Sequence, residues 1–489
     1  MNRTTLALLV VLVLSSALLG FGTLTRGQTW GDDFAAYLMQ AKSLLSGEMA
    51  EFVAHNTFTV TQSSHQIGPA AYPWGFPLML APVYALTGLS PLALKLPGLL
   101  TFLGFLLALF YWIKRRFAVP ESLLAVSLFA FQPILLLFLD NILSDIPFLF
   151  LSTLSLLLAD LYCDETQDKR KPLWAGGLGA TIFAAAFVRT QGWILLGSVL
   201  LWLGFRFLGK PASHTRIVRD AAALTAVFGA LWGLSALLFP GGQESYLALY
   251  ADFGPNTFPD NMVAYSQLFG LFFEGLPASR VVFSIFAFLF IWGAIVRFKT
   301  ENLPLLYALL YLVVLWSWPE WQGFRFIFPM LPIFILFAWH GLDFLLCNLP
   351  PAWKRIIQMI TRSTLTLITA IFLWNACANA IANLQENRAI NGPFDPYSIE
   401  MFDFIKEKTP PDSVIVFFKP RALRLMTNRD AVAITECEHL TLGDYLALSK
   451  KVGENLQIPP EQIAACNLPL ETVFQNRRFV VFRVAGHRP

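Results

Sequence analysis

Apolar runs of about 20 residues recur along the whole chain, and each is long enough to cross the hydrocarbon core of a bilayer as an α-helix. They lie at approximately residues 5–24, 91–112, 118–139, 142–162, 173–189, 191–209, 220–240, 281–296, 303–318, 325–346 and 363–384. Hydrophobic residues make up 56% of the chain and charged residues only 14%, unlike the balance in soluble globular proteins. The pattern predicts a polytopic α-helical membrane protein with about 11 transmembrane helices.

One further apolar stretch, residues 75–90, is shorter and is interrupted by prolines. Proline inside a helix removes a hydrogen bond and breaks or kinks it, and the stretch is too short for a full span. We expect it to be re-entrant or interfacial.

Lysine and arginine alternate between the predicted loops in a way that orients the chain. The loops on the same side as the N-terminus carry Arg3, Lys114–Arg116, Lys169–Lys171, Arg206, Lys210, Arg216, Arg219, Arg297, Lys299, Lys354, Arg355 and Arg362. Because loops rich in Lys and Arg stay in the cytoplasm, the N-terminus is expected there. Residues 25–90, 241–280 and 386–489 are then expected on the outer side.

The tail differs in composition from the rest of the chain, because charged residues return after residue 385. Two apolar runs, Ser413–Phe418 and Phe479–Val484, are typical of strands, and residues 398–408 and 442–452 are typical of helices. We therefore expect a transmembrane domain over residues 1–385 and a small extracytoplasmic α/β domain over residues 386–489.

Cysteine spacing and net charge exclude several classes of function. The five cysteines form no CxxC pair and no zinc-type spacing. Cys437 and Cys466 lie in the same tail, and whether they pair is open, since a disulfide needs an extracytoplasmic location. A net charge of only +3 gives no indication of nucleic-acid binding.

Asp32 and Asp33 form an acidic pair just after the first span. A helix beginning near Asp33 would present Asp33 and Tyr37 on one face, because residues four apart are neighbours on a helix. Two interpretations are open. The pair caps the helix, as Asp often does, or one carboxylate acts as a base beside the membrane.

Other polar residues stand at span ends on the same predicted side. They are Asp140, Asp145, Arg189, Glu320, Arg325 and the Tyr72-Pro73-Trp74-Gly75 loop. The acids are either turn and cap residues or functional groups, and the arginines either extend to the interface or grip a phosphate. A basic turn, Lys419-Pro420-Arg421, is either an anion site or a solvated surface.

A carboxylate that accepts a proton from a hydroxyl, beside arginines that hold a phosphate, could displace a phosphate leaving group from a sugar carbon. On this hypothesis Tyr37, Tyr72, Trp74, Asp140 and Glu320 are expected to contact the substrate.

Five short motifs then carry a resemblance to a known family. They are Gly31-Asp-Asp-Phe-Ala-Ala-Tyr37 followed by Ala41–Gly47, Tyr72-Pro-Trp-Gly-Phe-Pro77, Ser144-Asp-Ile-Pro147 and Arg325-Phe-Ile-Phe-Pro329. In this order, and on one side of the membrane, they resemble the GT-C superfamily of membrane glycosyltransferases. Within it they are similar to the family 39-like enzymes, which include protein O-mannosyltransferases and the aminoarabinose transferases that modify lipid A.

The resemblance implies an enzyme that takes its sugar from a polyprenyl-phosphate donor and generally inverts the anomeric carbon. It implies Asp33 as the base, with Asp32 a competitor because Phe34 stands where the family usually has Glu. It implies that Asp145 positions the acceptor or a metal, and that Arg325 and Arg189 hold the lipid phosphate. Divalent-cation dependence varies in the superfamily, so the cofactor is open.

Three classes of function are compatible with these patterns. The first is transfer of a sugar to an envelope lipid, glycan or protein at the outer face of a bacterial inner membrane. The second is a flippase or transporter of lipid-linked glycans, although transporters usually carry polar groups near the midplane. The third is a glycan polymerase or ligase, for which large arginine-rich outer loops would be expected.

Overall fold

The computed structural model describes residues 2–65, 67–209, 214–241, 253–319, 321–347, 349–386, 388–450 and 456–484. The chain is mainly helical. The helices are α1 Arg3–Thr23, α2 Asp33–Ser46, α3 Met49–Gln62, α4 Gly75–Thr87, α5 Pro91–Leu94, α6 Leu96–Lys114, α7 Val119–Ala130, α8 Pro133–Phe138, α9 Asp145–Asp164, α10 Lys171–Val188, α11 Gly192–Gly209, α12 His214–Leu238, α13 Thr257–Leu268, α14 Ser279–Arg297, α15 Asn302–Trp316, α16 Leu331–Cys347, α17 Pro351–Glu386, α18 Pro396–Lys408 and α19 Pro420–Thr427. The 3₁₀ segments are Phe269–Phe273, Phe324–Met330, Cys437–Leu442 and Pro460–Cys466.

Within the described ranges, nine helical stretches are long and apolar enough to cross a bilayer. They are Arg3–Thr23, Pro91–Lys114, Asp145–Asp164, Lys171–Val188, Gly192–Gly209, His214–Leu238, Ser279–Arg297, Phe324–Cys347 and Pro351–Gln385. The chain is therefore a multi-pass membrane protein, as its composition indicates.

Two of the predicted spans are shorter than expected. The run at 118–139 is divided into α7 and α8, because Pro133 interrupts it and the Gln132 side chain accepts the Leu135 backbone N–H at the start of α8. The run at 303–318 forms the 15-residue α15. The proline-containing stretch at 75–90 forms α4, whose 13 residues are too few for a full span.

A buried polar cluster fixes the start of residues 25–90 against the bundle. The Lys95 ammonium donates to the Asp140 carboxylate at 2.6 Å and to the Gly27 carbonyl at 2.6 Å. Thr25 donates its backbone N–H to the same carboxylate at 2.6 Å. The Lys95 side chain is fully buried, so the chain leaving α1 is attached to the residue before α6 and to the residues after α8.

The basic loops gather at the opposite end of the bundle, as their alternation predicts. Arg116 pairs with Asp160 at 2.5 Å and with Glu301 at 2.6 Å, and Arg362 pairs with Glu121 at 2.5 Å. The first two pairs connect the end of α6 with α9 and with the start of α15, and the third connects α17 with α7.

The tail folds into an α/β unit, here called the C-terminal unit and comprising residues 396–484 as described. Its strands are β1 Val414–Val416, β2 Asp430–Val432, β3 Tyr445–Ser449, β4 Leu470–Gln475 and β5 Phe479–Val484. They form one sheet in the order β2-β1-β3-β5-β4, in which β1 is parallel to β2 and β3, and β5 is antiparallel to β3 and β4. Cys437 and Cys466 form a disulfide.

The predictions for the tail are confirmed at three elements and wrong at one. β1, β5 and α18 lie where strands and a helix were expected. The predicted helix at 442–452 is instead β3 over Tyr445–Ser449. Its residues include the helix formers Leu and Ala, but the segment lies between β1 and β5, and burial in the sheet overrides the local preference.

We expect Lys95→Met to lower the melting temperature of the detergent-solubilised protein strongly. The substitution leaves the nearly buried Asp140 carboxylate without its cation, and breaking such a pair costs about 3–5 kcal/mol. Arg483→Gln is the matched control, since it removes the cation of the exposed pair with Glu471 and should cost about 1 kcal/mol or less. Equal melting temperatures for the two variants would contradict this role of Lys95.

Candidate active site

The first acidic residue of α2 lies at the centre of the site. α2 begins at Asp33, so Asp33 and Tyr37 lie one turn apart on the same face. The Asp33 carboxylate accepts the Tyr72 hydroxyl at 2.6 Å and pairs with Arg325 Nη1 at 3.0 Å. Burial opposes ionisation of Asp33, but the charge of Arg325 and the hydrogen bond from Tyr72 outweigh it and lower the pKa of this carboxyl below its ordinary value.

Asp32 has different surroundings. It stands at the N-cap position of α2, but its side chain caps no N–H of that helix. Instead its carboxylate accepts the backbone N–H of Arg421 in the C-terminal unit at 3.2 Å. Burial raises the pKa of Asp32, and the charges of Lys419 and Arg421 oppose this only in part. The two adjacent acids therefore differ in partners and in environment.

A second acid and arginine lie beside the first pair. Asp145 is the first residue of α9 and is buried, and Arg189 follows the last residue of α10. Arg189 Nη1 lies 2.5 Å from Asp145 Oδ1. The Arg189 guanidinium lies 4.6 Å from the centre of the Phe326 ring and that of Arg325 lies 5.4 Å from it, so both cations contact one aromatic ring.

Two tyrosines connect these groups. The hydroxyls of Tyr37 and Ser144 share a hydrogen bond of 2.9 Å, which joins α2 to the residue before α9. The rings of Tyr37 and Tyr72 are 4.8 Å apart. Gln40, one turn after Tyr37, exchanges hydrogen bonds with the Tyr72 backbone, so α2 also fixes the loop that carries Tyr72.

A cavity of about 170 Å³ opens between these side chains. Its lining residues are Asp33, Tyr37, Ile67, Gly68, Pro69, Tyr72, Pro73, Val188, Arg189, Thr190, Gln191, Trp318, Gln322, Arg325 and Phe326. It therefore combines one carboxylate, two guanidinium groups, two phenols and two amides. A cavity with these groups can bind an anion and can accept a proton from a hydroxyl next to it.

The structure brings five of the ten sequence-predicted residues to this cavity, namely Asp33, Tyr37, Tyr72, Arg189 and Arg325. Asp145 is adjacent through its pair with Arg189. Asp32 faces the C-terminal unit. Glu320 lies outside the described residues.

The other two predicted substrate contacts have structural partners elsewhere. Asp140 belongs to the Lys95 cluster. Trp74 donates its indole N–H to the Pro240 carbonyl at 3.0 Å and stacks on Phe239.

The chain offers no ready cluster of metal ligands in the part that the structure describes. There, no three His, Cys, Asp or Glu side chains lie close enough together to hold a metal ion. Each of the two acids nearest the cavity faces an arginine instead.

Sequence patterns missed the role of one arginine. The sequence places Arg421 in a basic turn that is either an anion site or a solvated surface, but its side chain is fully buried. It donates to Asn56, Ile67 and Pro69, all within residues 25–90. The partners of Arg421 lie more than 350 residues away in the sequence, so only the tertiary structure reveals these contacts.

Solved structures with the same architecture are known. ArnT from Cupriavidus metallidurans, in a crystal structure bound to undecaprenyl phosphate, aligns with 14% sequence identity over 99% of this chain and 99% of that chain, with a TM-score of 0.63. The oligosaccharyltransferase of Archaeoglobus fulgidus in its apo form aligns with 13% identity over 92% of this chain and 70% of that chain, with a TM-score of 0.60. The same archaeal enzyme, AglB, in complex with an inhibitory peptide and a dolichol-phosphate aligns with 12% identity over 91% and 69% of the two chains, with a TM-score of 0.56.

No protein-family model and no curated protein sequence matches the chain. The structural matches nevertheless cover nearly the whole chain, including the C-terminal unit. The chain has the fold of the GT-C glycosyltransferases, as the sequence motifs predict.

Proposed function

We propose that the protein is a membrane glycosyltransferase that moves a sugar from a polyprenyl-phosphate donor to an acceptor at the outer face of a bacterial inner membrane. The observation that carries the proposal is the pair formed by Asp33 and Arg325 in a cavity that Arg189 also lines. A possible base and two phosphate ligands thus share one small space, on a fold that sugar transferases use.

The two arginines are suited to the donor phosphate. Guanidinium groups bind phosphate oxygens with paired, charge-assisted hydrogen bonds. Arg189 and Arg325 approach the same Phe326 ring, so one phosphate at the cavity could contact both. Undecaprenyl phosphate in the ArnT structure and dolichol-phosphate in the AglB structure support this class of ligand.

Asp33 is then the base. Its carboxylate is paired with Arg325, and a donor phosphate competes for that arginine. When the arginine turns to the phosphate, its positive charge no longer offsets the effect of burial on the Asp33 carboxylate. The pKa of Asp33 then rises, and the carboxylate accepts a proton more readily. Asp33 accepts the proton of the acceptor hydroxyl while the oxygen bonds to the anomeric carbon. The bond from that carbon to the phosphate oxygen breaks, and the polyprenyl phosphate leaves with the electron pair.

Asp145 and the tyrosines have supporting roles in this scheme. Asp145 orients Arg189 through their short pair. Tyr72 holds the Asp33 carboxylate through its hydroxyl, and Tyr37 connects α2 with the start of α9. In this scheme the acceptor oxygen attacks the face of the anomeric carbon opposite the departing phosphate, and the transfer inverts that carbon.

The positions of the basic residues support the proposed orientation in the membrane. The basic residues Arg116 and Arg362 lie at the end of the bundle opposite the cavity, and such residues favour the cytoplasmic side. The cavity, residues 25–90 and the C-terminal domain of residues 386–489 then face outward. The paired acids and arginines stand at helix ends and not near the middle of the spans, which favours transfer chemistry over transport.

The proposal is tested by donor turnover in detergent, with a panel of polyprenyl-phosphate sugars and membrane extract as the source of acceptor. Asp33→Asn keeps the shape of the side chain but removes the base, and should lower the rate of polyprenyl phosphate release about 10²- to 10⁴-fold. Asp32→Asn is the matched control, because its amide oxygen can still accept the Arg421 N–H and the rate should stay near that of the wild type.

The opposite ranking of these two variants would assign the base to Asp32. Unchanged turnover in both, or no turnover by the wild type with any donor, would contradict the proposal. Comparable melting temperatures for the three proteins are required for the comparison.

The pH profile gives a second test of the role of Asp33. Its lowered pKa keeps Asp33 ionised at neutral pH, so kcat/KM of the wild type should fall only at pH values below the ordinary carboxyl range. Tyr72→Phe removes a hydrogen bond that lowers this pKa, so the acidic limb should move to higher pH. Tyr37→Phe, whose hydroxyl bonds Ser144, should leave the limb in place. An unmoved limb in Tyr72→Phe, or a shift to lower pH, would contradict the assignment.

A further inference from the structure

Arg421 is the second residue of α19 in the C-terminal unit, yet its side chain points out of that unit. Its guanidinium donates Nε–H to Asn56 at 3.0 Å, Nη1–H to the Ile67 carbonyl at 2.8 Å and Nη2–H to the Pro69 carbonyl at 2.6 Å. Its backbone N–H goes to Asp32. All these partners belong to residues 25–90.

Burial of this guanidinium would be costly without partners, because a charged group loses its hydration when it is buried. The three acceptors lie in different directions, and the rigid fork of an arginine can reach all of them at once. The three groups that accept hydrogen bonds from the guanidinium are neutral. The N–H groups of Arg421 are therefore satisfied by well-placed hydrogen bonds and not by a direct ion pair. A lysine could not bind Asn56, Ile67 and Pro69 in this way.

The two carbonyls that Arg421 binds belong to the wall of the active-site cavity. Ile67, Gly68 and Pro69 all line it. Gly68 has a φ of +96°, a conformation that side-chain-bearing residues rarely adopt. A Cβ there would lie 2.7 Å from the Tyr72 hydroxyl oxygen and 3.4 Å from Arg421 Nη1. The wall is thus packed directly between Arg421 and the tyrosine that bonds Asp33.

Arg421 also contacts that tyrosine. Its guanidinium carbon lies 5.6 Å from the centre of the Tyr72 ring, and the Tyr72 hydroxyl donates to Asp33 at 2.6 Å. Asn56, which accepts from Arg421, itself donates to the Ala70 carbonyl. The contacts of Arg421 therefore reach both ends of residues 67–70 and the ring next to them.

The C-terminal unit holds the preceding residues as well. Ser64 donates its backbone N–H to the Ala433 carbonyl at 2.8 Å, and Ala433 donates to the Ser63 hydroxyl at 3.0 Å. The wall segment is therefore attached to the unit just before residue 65 and again at residues 67 and 69.

We propose that Arg421 is a positioning residue of the active site, through which the C-terminal unit holds the cavity wall of residues 67–69 and Tyr72 against Asp33. The proposal rests on the function proposed above. It assigns the C-terminal unit a part in donor binding, because the wall that Arg421 holds lines the same cavity as Asp33 and Arg325.

The test compares Arg421→Gln with Arg429→Gln in the full-length protein. Arg429 is a matched control, because it is a nearly buried arginine of the same unit and its hydrogen bonds go to Lys406, Thr409 and Thr427 within that unit. Two readouts are measured, namely hydrogen exchange of the peptide covering residues 67–72 without substrate, and steady-state donor kinetics.

Arg421→Gln should speed exchange in this peptide and raise KM for the donor at least about tenfold, with a smaller change in kcat, because a displaced wall mainly weakens binding. Arg421→Lys should behave in the same way, since it keeps the charge but not the fork. Arg429→Gln should leave KM and the exchange of residues 67–72 near wild type, even where it lowers the melting temperature.

Equal exchange and equal KM in the Arg421 and Arg429 variants would overturn the proposal. So would full activity in Arg421→Lys. If Arg421→Gln fails to fold, Gly68→Ala gives an independent test, because it displaces the same wall by a substitution outside the C-terminal unit and should also raise KM. A wild-type KM in Gly68→Ala would overturn the proposal. If no donor is consumed by the wild type, the proposed function fails, whereas the exchange measurement still decides whether Arg421 holds the wall.

Discussion

The pair of Asp33 and Arg325 joins two segments 292 residues apart and lies where the helical bundle meets the loops that cover it. Charged groups next to apolar helices are costly unless they have partners. Here each partner comes from a different element, α2 for the acid and the 3₁₀ segment before α16 for the arginine. The two charges therefore pair only when the fold brings α2 and this 3₁₀ segment together, and the cavity lies at that meeting point.

Other charged groups around this pair are also held by partners from different elements. Arg189 and Asp145 form a second ion pair at the adjoining ends of α10 and α9, and Phe326 lies against both Arg189 and Arg325. Lys95 and Asp140 hold the beginning of the segment 25–90, while Arg421 holds residues 67–69 of the same segment, which line the cavity. The site is thus surrounded by buried charges, each with a named partner. A ligand with a negative charge would exchange for the carboxylates at the two cavity arginines.

Local patterns in the sequence were sufficient for the membrane class and for the strands β1 and β5. They also indicated Asp33, Arg189 and Arg325 as candidates, and these three residues line one cavity. Each of these predictions depends on periodicity, charge alternation or a short motif. The local patterns failed for β3. Its Leu and Ala residues favour a helix, but pairing with β1 and β5 in the sheet determines its structure. Local patterns also failed to distinguish the surroundings of Asp32 and Asp33. The side chains of adjacent residues at the beginning of a helix point in different directions, and their partners come from distant parts of the chain. Arg421 and Lys95 act through partners distant in sequence, which no local pattern encodes.

The claim that the cavity binds a polyprenyl phosphate through its arginines is tested most directly by measuring lipid affinity without any reaction. Undecaprenyl phosphate and undecaprenol differ only in the phosphate, so their affinities for the detergent-solubilised protein isolate its contribution. We expect the wild type to bind the phosphate at least about tenfold more tightly, because charged hydrogen bonds are worth about 1.5–3 kcal/mol each. Arg325→Gln should reduce this preference, whereas Arg362→Gln at the opposite end should retain it. Equal affinity of the wild type for both lipids, or an unchanged preference in Arg325→Gln, would contradict the claim.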